Sequence, residues 1–314
     1  MSIRLFQPTT GNSEIAPKPP LFCWRVLQLA LAIALFGWPE FASAQNSPQV
    51  LVGAGDIASC GADKSQATAL LLDKIPGTVF TVGDHAYPKG TARQFSECYG
   101  PSWGRHRART RPAPGNHDYE SHQAAPYFKY FSANAGPAGR GYYSYDLGSW
   151  HVVSLNSIAN AASWGKQQED WLAKDLAASA SACKLAYWHH PYVSSGKFHG
   201  NGPHMRNLFA LLYRHGADVA VSGHDHIYER FAPQNPDAKA DARGIRQFIA
   251  GTGGAPLYEI GAIQPNSEVR NNATHGIIKF TLHSTSYEWE FLPIAGQSFR
   301  DRGSAECHGA KAVK

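Results

Sequence analysis

The chain has 314 residues, 43% of them hydrophobic and 17% charged. That balance excludes an intrinsically disordered chain and leaves room for one large domain or two small ones. A formal net charge of +5, with only a scattered arginine cluster (Arg105, Arg107, Arg109, Arg111), offers no basic block of the kind that tracks nucleic acid. The cluster reads as a solvated face.

Residues 1–44 read as a targeting segment. Arg25 precedes a 13-residue, mostly apolar run over 26–38, Pro39 and Glu40 break it, and Ala42-Ser43-Ala44 places small residues before Gln45. The run is short beside the about 20 apolar residues of a membrane span. Export to a periplasm or to the medium is the expectation, with the mature chain starting at Gln45 and no stable span after cleavage. A true start near residue 21, or retention of 1–44 as an anchor, remain the alternatives. Cys23 precedes the apolar run and is not placed for lipid attachment. Cleavage leaves Cys60, Cys98, Cys183 and Cys307, which allow three pairings. An oxidising compartment favours one or two bridges, and no CxxC spacing supports a zinc finger. Cys60 and Cys98 follow the loops carrying Asp56 and Tyr87, so a bridge between them is expected to brace that rim.

From residue 50, short apolar runs alternate with helical stretches. "QVLVGAGD" and "TVFTVGD" read as strands ending in Gly-Asp, with the helix "SQATALLLDKI" between them. "TRPAPGNHD" is a strand limited by its prolines. "GYYSYDLGSWHVVSLN" is a hairpin turning at Leu147-Gly148. The helix "QQEDWLAKDLAAS" leads to the strand "KLAYWHHP", and the helix "MRNLFALLYRHG" to the strand "ADVAVSGHDH". Three further strand-like runs follow: "IRQFIAGTGG", "GIIKFTLH" and "SYEWEFL". The alternation predicts an α/β fold with buried central strands. One domain is expected over 49–292, with its motifs within 50–230. The polar segment 297–314 reads as a loosely held tail.

Five strands end alike, in a short turn carrying Asp, Asn or His: Asp56, Asp84, Asn116, His189, and His224 with His226. Any one is ordinary turn chemistry. Together, at the carboxyl edge of an α/β sheet where ligands gather, they point to one metal site. Carboxylate, imidazole and amide oxygen suit iron, zinc or manganese better than calcium. Six groups are too many for one four-coordinate ion and suit two ions bridged by a carboxylate.

The order GD (55–56), GDxxY (83–87), GNHD (115–118), HxP (189–191) and GHxH (223–226) resembles the calcineurin-like metallophosphoesterase superfamily. "GDHAY" and "GHDHIYER" resemble its purple acid phosphatases, in a compact form without an amino-terminal β-sandwich. The resemblance implies two mixed sheets packed as a sandwich with flanking helices. It implies that Asp56, Asp84, Tyr87 and His226 hold one ion, that Asp84 bridges, and that Asn116, His189 and His224 hold the second. The pair implied is Fe(III) with Fe(II), Zn or Mn. His117 falls beside the phosphate, and His199 falls near the leaving group, with His204 on the same loop. His85 receives no role. His190 reads as a hydrogen-bonding partner of the site, and Glu229 and Arg230 as ion pairs behind it. Trp103, Trp150, Trp164, Trp171 and Trp188 read as core and pocket wall.

The function expected is an exported phosphoesterase that hydrolyses small phosphomonoesters by attack of a metal-bound hydroxide. The alternatives are a phosphodiesterase acting on cyclic nucleotides or glycerophosphodiesters, and a non-catalytic metal-binding module on the same scaffold. Substrate choice is expected to depend on the loops 192–204 and 253–272.

Overall fold

Apolar residues fill both faces of the central strands, so the sheets need cover on two sides. A computed structural model describes residues 47–61, 64–161 and 165–309 and shows how that cover is arranged. The expected targeting segment and Trp164 lie outside the described residues.

The strands in chain order are β1 (Gln49–Ala54), β2 (Ala58–Ser59), β3 (Thr78–Val82), β4 (Ala86–Tyr87), β5 (Thr110–Ala113), β6 (Tyr143–Leu147), β7 (Trp150–Ser154), β8 (Cys183–Tyr187), β9 (Val219–Ser222), β10 (Tyr228–Phe231), β11 (Arg246–Ala250), β12 (Ser267–Asn271), β13 (Gly276–Leu282), β14 (Ser286–Pro293) and β15 (Arg302–Glu306). One mixed sheet has the order β15-β14-β13-β1-β3-β5, and a second has the order β12-β10-β11-β9-β8-β7-β6. The pleat sorts their side chains by turns. Leu51, Phe80, Val82, Phe280 from the first sheet meet Val152, Leu185, Tyr187, Val219, Val221 and Phe248 from the second in the central core. The alternate residues point outward. Val52, Ala54 and Val79 pack under the helix Lys64–Leu72 and the aromatic-rich segment 95–131. Val153, Ala186 and Ala220 pack under the helices Gly165–Ala178 and Arg206–Arg214. The result is the expected two-sheet sandwich with helices on both outer faces.

Pro112 sits in β5, at the edge of its sheet, where a missing donor costs no ladder bond. Gly216, in the left-handed region at φ 68°, closes the helix Arg206–Arg214. Both bridges of one of the three pairings are present, Cys60–Cys98 and Cys183–Cys307.

The loosely held tail and the domain end at 292 need correction. Residues 302–306 form β15, paired antiparallel with β14. They are polar because they are an edge strand, alternately exposed. Buried Asp301 accepts hydrogen bonds from the Tyr228 hydroxyl (2.7 Å) and Arg230 Nε (2.7 Å), and Cys307 closes the end through its bridge.

Candidate metal centre

The parallel neighbours β1, β3 and β5 of one sheet, and β8 and β9 of the other, all end at the same rim of the sandwich. The two sheets are stitched there. Gly55 N–H donates to Ala250 O, and His189 Nδ1 lies 2.7 Å from Val82 O. Each strand then turns sharply. Asp56, Asp84 and His224 take left-handed backbones at φ 58°, 53° and 68°, an unusual conformation for residues other than glycine that aims their side chains inward. The preceding glycines make space. A Cβ on Gly115 would stand 2.1 Å from Asp84 Oδ1, and one on Gly223 would stand 2.5 Å from Asp56 Oδ2.

Seven of the sequence-predicted residues converge in two sets. In the first, the Tyr87 hydroxyl lies 2.9 Å from Asp56 Oδ1, 3.1 Å from Asp84 Oδ2 and 3.0 Å from His226 Nε2. In the second, His189 Nε2 lies 3.0 Å from Asn116 Oδ1, 3.2 Å from His224 Nδ1 and 3.3 Å from Asp84 Oδ2. Asp84 Oδ2 belongs to both. The outer oxygen of each carboxylate is already engaged. His224 N–H donates to Asp56 Oδ2 (3.0 Å) and His117 N–H to Asp84 Oδ1 (2.9 Å).

The donor set fits metal ions. A carbonyl oxygen only accepts, so Val82 O takes the Nδ1 proton of His189 and Pro256 O, at 2.7 Å, that of His226. Both Nε2 atoms are thereby turned inward, onto the carboxylates of the two sets. One phenol proton faces three acceptors. Ligands about 2.1 Å from a common ion, at angles of 90–110°, lie about 3.0–3.4 Å apart, which is the spacing found.

Burial and charge compete across the cluster. Asp56, Asp84, His189 and His226 are buried. Burial opposes a charge on His189, but the Asp84 carboxylate outweighs it and raises the imidazole to about 9. Burial likewise opposes the charge on Asp84, and His189 outweighs it and lowers the carboxyl. Burial opposes a charge on His226 as well, and the Asp56 carboxylate outweighs it and raises the imidazole. Burial, then the neighbouring His189, pulls His224 far down, so its inward nitrogen keeps its lone pair. Burial, then the Asp56 charge, pushes the Tyr87 phenol well up.

His117 stands over this cluster, partly exposed, with Nε2 3.9 Å from Asp84 Oδ2. His199 is exposed at the rim and stacks on His224 at 3.9 Å. His190 packs on His224 at 4.2 Å and pairs with the Ser157 hydroxyl at 2.8 Å, outside both donor sets. Arg230 pairs with Asp301 and Glu268. Glu229 departs from the expected ion pair: it is fully buried and accepts from Ser195 N–H (2.9 Å) and the Ser267 hydroxyl. Trp103, Trp150 and Trp188 are core, and Trp171 is partly buried against it.

Three further residues matter, and sequence reasoning gave them no role. Buried Asp118 accepts from the backbone of Asp84 (3.1 Å) and Gly115 (2.9 Å) and from His85 Nδ1 (2.8 Å), tying two donor turns together. Buried Asp225 accepts from the Ser194 hydroxyl and Gly200 N–H (3.2 Å), holding down the His199 loop. Tyr258 lies flat on His226, with ring centres 3.9 Å apart and planes 11° apart. The first two stand inside the GNHD and GHDH motifs, which was their only signal.

Comparison with known proteins follows this geometry. Residues 27–228 match the profile of the Calcineurin-like phosphoesterase family. Purple acid phosphatase 21 of Arabidopsis thaliana is 33% identical over 231 residues, covering 64% of this chain and 52% of that one. Acid phosphatase of Aspergillus ficuum is 24% identical over 229 residues, covering 52% of this chain and 37% of that one. The chain thus spans about half the length of the first of these relatives, and less of the second. In structure, a purple acid phosphatase from yellow lupin (Lupinus luteus) seeds superposes with a TM-score of 0.67 at 19% identity, over 84% of this chain and 54% of that one. GAP50, the anchor in the inner membrane complex of Plasmodium, superposes with 0.67 at 12% identity, over 83% of this chain and 89% of that one. Those likenesses establish the fold, and the match over 27–228, which runs through all five donor turns, establishes the lineage: the chain belongs to the calcineurin-like phosphoesterase family.

Proposed function

We propose that the protein is a binuclear-metal phosphoesterase that hydrolyses small phosphomonoesters. One observation carries the reading: two complete donor sets share a single carboxylate oxygen, Asp84 Oδ2. The fold alone does not decide it, since a similar fold serves as an anchor in GAP50. Asp56, Tyr87 and His226 would hold one ion, Asn116, His189 and His224 the other, and Asp84 both. Iron(III) with iron(II), zinc or manganese suits this mix of phenol, carboxylate, amide and imidazole. Such a pair acidifies water and offsets the charge of a phosphate ester. The chain's own residues do the rest. His117, partly exposed above Asp84, binds a phosphate oxygen. His199, on the loop held by Asp225, gives its proton to the departing alkoxide.

Export is part of the proposal. Two cysteine pairs at bridging distance suit an oxidising compartment, and no helix among the described residues is long and apolar enough to cross a membrane. Amino-terminal sequencing of protein from its own host is expected to start at Gln45.

The test is metal analysis of that protein, with turnover of para-nitrophenyl phosphate and its bis ester. Two ions per chain and faster turnover of the monoester are expected. Faster turnover of the bis ester establishes the diesterase alternative. Two ions with no turnover of either establishes a binding module.

A further inference from the structure

Three large hydrophobic side chains stand exposed among the described residues, and two of them, Phe198 (64%) and Ile263 (53%), lie on paired segments at the rim of the metal centre. These are residues 194–202 and 258–264. Lys197 N–H donates to Glu259 O (3.0 Å), Gly261 N–H to Ser195 O (2.7 Å) and Gln264 N–H to Ser195 Oγ (2.9 Å). Two buried carboxylates grip the first segment from below: Asp225 takes Gly200 N–H and Glu229 takes Ser195 N–H. An apolar ring is therefore held in water by a pinned loop, where a free loop would fold it away.

The ring is not isolated. Phe198 contacts Tyr258 at 5.0 Å between centres with the two planes 59° apart, and Tyr258 lies flat on His226 at 3.9 Å. His199, next to Phe198 in the chain, reaches Tyr258 at 5.7 Å and His224 at 3.9 Å. A run of ring contacts thus leads from one donor imidazole to open solvent. The run begins at the donor imidazoles His224 and His226, beside where a phosphate on the two sets would lie.

We infer that Phe198 and Tyr258, inclined at 59°, form an angled platform that meets an aromatic group on the substrate by face and edge, so that the preferred phosphomonoesters are those bearing an aromatic ring. The inference rests on the phosphomonoesterase reading above. An aromatic contact of this kind shifts affinity by about five- to tenfold.

Calorimetry of the metal-loaded protein with methyl-, cyclohexyl- and phenylphosphonate tests it, because none of the three is hydrolysed. The wild type should bind the phenyl compound about five- to tenfold more tightly than the other two. Phe198→Ala should bring all three within about twofold, Phe198→Tyr should keep the preference, and metal content should not change. With phenyl phosphate, Phe198→Ala should raise KM by the same factor and leave kcat alone. Equal binding of phenyl and cyclohexyl compounds by the wild type, or a preference that survives Phe198→Ala, overturns the platform. Ring preference without turnover of phenyl phosphate removes the esterase reading and leaves the platform standing. Turnover without ring preference does the reverse.

Discussion

Two histidine–carboxylate clusters in this molecule use the same residue types to opposite ends. Between β6, β7 and the helix Gly165–Ala178, His151 Nδ1 lies 2.9 Å from Asp146 Oδ1 and Nε2 lies 2.8 Å from Asp175 Oδ2. Both ring nitrogens face acceptors, so the ring satisfies them only when it carries both protons. Burial opposes that charge, but Asp175 and Asp146 outweigh it and raise the imidazole above its ordinary value. The cluster supplies its own cation and borders a cleft of about 690 Å³. In the metal centre, each of His189 and His226 instead gives its Nδ1 proton to a backbone carbonyl, and the inward nitrogens meet further acceptors. What distinguishes the two clusters is the backbone carbonyl behind the ring, which leaves a single nitrogen of each imidazole for the shared site.

The largest test of that contrast is Asp84→Ala. One oxygen serves both donor sets, so both ions should be lost and turnover should fall by about 10³-fold or more, read by metal analysis and a phosphate-release assay. Retention of two metals with normal turnover would break the comparison outright. His151→Gln should leave metal content and turnover unchanged.

His199→Ala asks whether the rim histidine is chemical or structural. Both ions should stay. An alkyl phosphate, with its basic leaving group, should slow by about 10²-fold, and a nitrophenyl phosphate much less. Equal losses in kcat for both esters would remove the acid role.

Folding stability sharpens the other side. Loss of the charge-assisted bonds of His151 in His151→Gln should cost about 1–3 kcal/mol in urea unfolding near pH 5.5. The folded value lies above the unfolded one, about 6.5. The contribution is therefore complete below about pH 6 and is lost as pH rises through the raised folded value. A difference that grows with pH would contradict the ion pair.

The smallest effect separates its two carboxylates. Asp175 is 16% exposed in its side chain and Asp146 is 72%. Asp175→Asn should account for most of the pH-dependent loss, and Asp146→Asn for about 0.5 kcal/mol or less, because solvent screens it. Equal costs would mean that the exposed pair is ordered more tightly than its setting allows.

Most donor turns were legible because an apolar run ends in glycine before a polar residue, as at Gly83-Asp84 and Gly223-His224, while His189 follows Trp188 without a break and was marked by the His-His-Pro that ends its run. The sandwich followed from the resemblance those turns carry, and the alternation of helix and strand agreed with it. Other parts were hidden for physical reasons. The segment Arg302–Glu306 carries no apolar pattern, because an edge strand with one paired neighbour and an exposed face needs none. Tyr228–Phe231 is a strand whose arginine is neutralised by Asp301, 71 residues away, so its charge misleads locally. Residues 122–124 take three consecutive left-handed backbones with no glycine among them, which propensity does not foresee. Asp118 looks like a fourth letter of a motif. Its work is done on Asp84 and His85, more than thirty residues back.

The glycines ahead of the donors bear on how such a centre can change over time. Gly115 leaves the volume that Asp84 fills, and Gly223 leaves the volume that Asp56 fills, each across a gap of sequence and between different strands. Asp56 and Asp84 are thus tenants in space vacated by another strand's turn. A mutation that enlarges one turn evicts a ligand elsewhere, and restoring it needs a second change at a distant codon. At those two positions drift by single steps is blocked in both directions, so each carboxylate and the glycine that makes room for it are expected to be kept or lost together.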